Sequence, residues 1–98
     1  MVNNRMILRA GIASKEQLRF TPAGIPVLSF TVDHNSSQTE AGQPRNVTLS
    51  LDCVAVGEKA KSLDHVATGR ELELSGFLSN RSNKSRWVVF HVTEFELK

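Results

Sequence analysis

Arg81, Lys84 and Arg86 fall within six residues with no acidic residue among them, and Trp87 follows directly. Clustered guanidinium and ammonium groups neutralise phosphates with little regard to sequence. An exposed indole adds a face on which a nucleobase stacks, a contact worth roughly 1–3 kcal/mol. Lys15, Arg19 and Arg45 stand near other predicted strand ends, so basic charge gathers at the loops. Each feature has a plainer alternative: a solubilising hairpin tip for the cations, and for Trp87 a side chain packed on the wall or beneath a partner chain.

Nothing else in the chain is spaced for chemistry. His34, His65, His91 and Cys53 lack the short ligand spacings of zinc sites, and neither a phosphate-cradling glycine loop nor a nucleophile elbow is present. The expectation is a protein that is not an enzyme and uses no metal or cofactor. Asp33 and Asp52 read as solvated strand faces rather than as a general acid and base. His34 is expected to shape a hairpin by hydrogen bonding, and His91 to lie on the outer phase of the last strand. Cys53 is the single cysteine, which rules out an intramolecular disulfide, and its strand neighbours make it a small core hydrophobe.

The elements that would position these residues are bounded by size. A chain of 98 residues favours one domain, residues 1–98, burying roughly two-thirds of its unfolded surface. The net charge of +2 is a mild excess that does not by itself demand a nucleic-acid partner. No stretch approaches the roughly 20 apolar residues of a membrane span. Residues 1–5 run into an alternating stretch rather than the apolar block of a signal peptide, so a soluble cytoplasmic protein is expected.

Alternation places a strand over residues 6–12, with a turn at 14–17. A second strand carries Leu28, Phe30 and Val32 inward, its start confined by Pro22, Gly24 and Pro26. A third runs over residues 45–56, with Val47, Leu49, Leu51, Cys53 and Ala55 on one face and Thr48, Ser50 and Asp52 on the other. Gly57 breaks it. Residues 58–67 then place Ala60, Leu63 and Ala67 at helical spacing, with Gly69 set to stop the helix. A fourth strand spans residues 71–79, and the last carries Val88, Phe90 and Val92 inward.

Five strands with a short helix between the third and fourth match an all-β, five-stranded OB-fold barrel. Gly76, inside the fourth strand, permits the bend such a barrel needs. The competing architecture is a small open α+β sheet with the helix on one face. In an OB-fold the ligand lies across strands two and three, between the loops joining strands one to two and four to five. Lys15 and Arg19 occupy the first of those loops, Arg81, Lys84 and Arg86 the second, and Arg45 begins the third strand. With Trp87, and with Asn35 and Thr48 on the second and third strands, they form the expected nucleic-acid-binding set. There is no Tyr, and Phe30 and Phe90 point inward, leaving Phe20, Phe77 and Phe95 unassigned.

Gly24-Ile25-Pro26, Phe30, His34, Ser36, Gln38, Glu40-Ala41-Gly42 and Arg45 stand at a spacing that resembles the primosomal replication protein N (PriB) family, and Gly69, Gly76-Phe77 and Asn4-Arg5 fit as well. The likeness covers essentially the whole chain. It implies a homodimer of OB-folds that binds single-stranded DNA and works with the PriA helicase and DnaT in replication restart. Gln43 and Thr48 stand where the family can carry stacking aromatics, so stacking is not expected there. The chain stops at Glu96-Leu97-Lys98 without the acidic tail of a replicative single-stranded DNA-binding protein, which argues against that role. Two functions stay open: a DNA-binding module, and an OB-type scaffold for protein contacts with weak or no DNA affinity.

Overall fold

The computed structural model describes residues 2–98; Met1, the first residue of the stretch weighed as a signal peptide, lies outside them. The order is β1 (Met6–Lys15), β2 (Arg19–Phe20), β3 (Pro26–Glu40), β4 (Gln43–Val56), α1 (Glu58–Asp64), β5 (Glu71–Asn80) and β6 (Val88–Leu97). The strands follow one another as β1-β5-β6-β4-β3-β2, and β1 also pairs with β3, which closes the wall. β1 serves both sides: residues 6–11 pair with β5, and residues 11–15 pair with β3 across a register shift between Ile12 and Ser14. On the opposite side β4 and β6 meet in parallel through Cys53↔Phe90 and Val54↔His91 alone. The result is an all-β, closed mixed barrel of five long strands with one helix, the OB-fold arrangement, and not the open α+β sheet.

The helix lies between the fourth and fifth of six strands, where the sequence placed it between the third and fourth of five. The added strand is β2, whose two residues pair as Arg19↔Val27 and Phe20↔Pro26 across the Pro/Gly turn. It contributes no long strand to the barrel wall. The helix also ends at Asp64, with His65 as its C-cap, and does not reach Ala67. His65 and Val66 donate to the carbonyls three residues back, Ser62 and Leu63, which tightens the last turn. Gly69, at φ +90°, instead turns the chain into β5 and donates its N–H to the Ile12 carbonyl at 2.7 Å.

β3 and β4 run further than expected, pairing without interruption from Val27↔Val56 to Glu40↔Gln43. Beyond residue 34 their side chains are mostly polar, so nothing holds them to the core and they leave it as an arm. At the arm's tip Ala41 (φ 52°) and Gly42 (φ 76°) are the left-handed pair of a two-residue hairpin.

Ile12, Leu28, Phe30, Val32, Leu63, Leu72, Leu74 and Phe90 form the core, and α1 contributes Ala60 and Leu63 to it. Val88, expected inward, is exposed because it pairs with Asn80 at the rim, while Phe90 and Val92 are buried. Across the bulge, Gly76 faces Val92 while Ser75 faces Glu94, so Thr93 is the extra residue. That insertion reverses the phase of β6 and lets Phe95 pack on the core.

Candidate nucleic-acid interface

Alternation along β3, β4 and β6 fixes what the outer wall presents. Leu28, Phe30 and Val32 face inward, so Ser29, Thr31, Asp33 and Asn35 face out, opposite Val54, Asp52, Ser50 and Thr48 on β4. His91 lies beside Val54 on β6. A groove of about 510 Å³ crosses this wall, bordered by Lys15 at the end of β1, Arg19 at the start of β2 and Arg81 just after β5, with Thr31, Asp52 and His91 between them.

The groove gathers three of the expected cations, but they differ in freedom. Arg19 lies at its edge and donates from Nη1 to Ser29 Oγ at 3.0 Å. Arg81 reaches across to Asp52 on β4 and forms an ion pair with its Oδ2. Its backbone N–H donates to the Trp87 carbonyl at 2.8 Å, closing the β5–β6 loop. Lys15 lines the same groove, yet its ammonium points to the end of α1, donating to the carbonyls of Asp64 at 2.9 Å and Val66 at 2.5 Å. A cation there satisfies acceptors the short helix leaves open and opposes its dipole. Lys15→Met, which keeps the stem and removes the charge, is expected to cost about 1–2 kcal/mol in urea unfolding; an unchanged midpoint would deny it this role.

Lys84 and Arg86 are exposed in the loop and make no ion pair among the described residues. Trp87, at its root, is 76% exposed. Asn35 and Thr48 pair directly and line a second, shallower depression further along the arm with Asp33 and Ser50. Arg45 does not join the set. It shares the face of Val47 and Leu49, opposite Thr48, and pairs with Glu40 at 2.5 Å near the tip.

Two features escaped sequence reasoning. Asp33 and Asp52 lie on the exposed outer face, as expected, but side-chain hydrogen bonds that the sequence does not show tie them into it: Ser50 Oγ donates to Asp33 Oδ1 at 2.6 Å, and Thr31 Oγ1 to Asp52 Oδ1 at 3.5 Å. Phe77 stacks on His91 with ring centroids 4.8 Å apart and planes 6° from parallel, which places an aromatic face beside the groove. The signal for Phe77 was available, since it is opposite in phase to inward Leu74 and Gly76.

His34 does shape the hairpin. Its Nδ1 lies 2.6 Å from the Arg9 carbonyl, which only accepts, so that nitrogen carries the proton. Nε2 then accepts from Ser36 Oγ at 2.8 Å, and Ser36 in turn accepts from Gln38 Nε2 at 3.0 Å. The chain of bonds ties β1 to the base of the arm.

Cys53 is buried on the inner face beneath the groove. Burial, and secondarily the charge of Asp52, push its thiol up to about 12. Above the ordinary thiol range the unfolded chain therefore loses this proton more readily than the folded one. The stability due to Cys53 is complete below about 9 and declines as pH rises toward about 12. A thiol reagent at neutral pH is expected to label Cys53 only as fast as the protein unfolds; immediate labelling of native protein would contradict its burial.

Residues 4–94 match a family described as "Another single-strand binding protein family". The replication restart protein PriB of Bordetella pertussis is 35% identical over 91 residues, which span 93% of this chain and 85% of that protein. That of Nitrosomonas europaea is 30% identical over 91 residues, 93% of this chain and 84% of the relative. The solved PriB of Ralstonia solanacearum superposes with a TM-score of 0.89 at 32% identity, covering 99% of this chain and all of that one. A single-stranded DNA binding protein from Thermus aquaticus shares the fold, with a TM-score of 0.79 at 19% identity over 98% of this chain and 50% of that one.

Proposed function

Since this chain belongs to the PriB family of replication restart proteins, within the single-strand binding class, we propose that residues 1–98 act as one OB-fold domain that binds single-stranded DNA, without a defined sequence, and supports replication restart. The observation that carries the reading is the convergence of Arg19 and Arg81, from the separate β1–β3 and β5–β6 connections, on one groove. Lys84 and Arg86 extend the cationic rim, and Phe77, backed by His91, and Trp87 supply faces for bases. Asn35 and Thr48 continue the polar track along the arm. Lys15 supports the site through α1, and Arg45 stands apart from it.

The family is one of binding proteins and not of enzymes. Among the described residues no helix is long and apolar enough to cross a membrane. The proposal extends to a homodimer in the primosome, in the cytoplasm, with the PriA helicase and DnaT as partners; these rest on family membership, and sedimentation of the full chain tests the dimer.

Polarisation of a labelled oligo-dT across a salt series tests DNA binding. Contact with Z phosphates gives a log–log slope near −0.7Z, and Lys15→Met leaves that slope unchanged. Undetectable binding at low salt would leave the scaffold reading, which the two carboxylates on the wall favour.

A further inference from the structure

We propose that the Asp52–Arg81 pair makes the groove prefer cytosine over thymine, an inference that rests on the single-strand-binding reading above and specifies its ligand. Asp33 and Asp52 put negative charge on the outer wall, where a phosphodiester is repelled. Phosphates are then held at the rim by Arg19, Lys84 and Arg86, and bases turn toward the wall.

What the bases meet there is an acceptor beside a donor. The half-exposed Asp52 carboxylate joins Arg81 through one oxygen, while its other oxygen receives only the Thr31 hydroxyl at 3.5 Å. The Arg81 guanidinium has five N–H donors and leaves several of them for a ligand. Acceptor next to donors is the order of groups on guanine's own pairing edge. Cytosine complements it, offering the N4 amine to the carboxylate and N3 and O2 to the guanidinium. Adenine offers its N6 amine and N1 but has no third group. Thymine presents a carbonyl where the carboxylate needs a donor, and the two oxygens repel.

Asp52 also restrains Arg81, so its removal has opposite effects on affinity and on selectivity. It frees a guanidinium for phosphate and deletes a repelling charge, which strengthens binding to any strand, while it abolishes the acceptor that selects cytosine. Affinity and selectivity thus separate in a single substitution.

The test uses the full chain and labelled homopolymers of dC, dA and dT at low salt and mildly alkaline pH, where cytosine stays unprotonated. Oligo-dC is expected to bind about fivefold tighter than oligo-dT, the low end for a bidentate base contact because the pair is half in water, with oligo-dA between them. In Asp52→Ala the affinity for oligo-dT rises and the dC:dT ratio falls toward one. Equal binding of dC and dT by the natural protein overturns the inference while leaving DNA binding in place, and so does an unchanged ratio in Asp52→Ala. No binding of any oligomer overturns the underlying reading and this inference with it. The comparison in the natural protein needs no variant to fold.

Discussion

Gly76→Ala is expected to destabilise the protein by about 3 kcal/mol or more, at or beyond the upper end for overpacking. A Cβ at this position would sit 1.8 Å from the His91 carbonyl oxygen and 2.8 Å from its carbon, and both are backbone atoms that no rotamer change can move. Relief requires β5 and β6 to separate at the bulge, and His91 then leaves both Phe77 and the parallel contact with β4. At roughly 4–8 °C per kcal/mol for a chain of this size, the thermal midpoint falls by about 12–24 °C. Gly11→Ala is the control: its Cβ would approach carbonyl oxygens no closer than 3.9 Å, and the change should stay within about 0.5 kcal/mol. Equal midpoints for the two variants, followed by circular dichroism, would contradict the close approach of the strands.

Replacing Arg81, Lys84 and Arg86 together by Ala should weaken single-strand binding about 100-fold near 0.1 M salt and make the log–log slope shallower by about 1.4, as the two lost phosphate contacts of Lys84 and Arg86 require. All three side chains are exposed, so the fold should survive. The loss is compounded by Asp52, which remains in the groove without its partner. Trp87→Ala added to this variant should lower affinity further without changing the slope, because stacking releases no counterions. An unaltered slope in the triple variant would place the phosphates elsewhere.

Much of the barrel was legible because its cause is local. Alternation of apolar residues identified β1, β3, β4 and β5 and most of their inward faces, Leu49 on the arm being exposed, and a lone glycine inside a strand marked the bend at Gly76. What was hidden depends on distant partners. Nothing in residues 58–67 says that α1 stops at Asp64, with Lys15 from β1 taking up nearby carbonyls. The two residues of β2 are too few to show a period. The inward turn of Phe95 follows from an insertion at Thr93 that only the register with β5 reveals.

The site divides in the same way. The loop that carries Arg81, Lys84 and Arg86, and the one that Lys15 and Arg19 flank, were legible because OB-fold connections dictate where such loops meet. Arg45 lies away from the groove and pairs with Glu40, and its phase, shared with Val47 and Leu49, already set it opposite Thr48. Asp52 was given the outward phase, but its ion pair with Arg81 joins two segments 29 residues apart and has no signature in either.

The most direct measurement is a site-resolved NMR titration of the full chain with a single-stranded oligonucleotide. Amide perturbations are expected at Ser29, Thr31, Asp52, Arg81 and His91, continuing to Asn35 and Thr48, while α1 stays unperturbed. Perturbations centred on α1 or on the outer side of β1, with the groove silent, would contradict it.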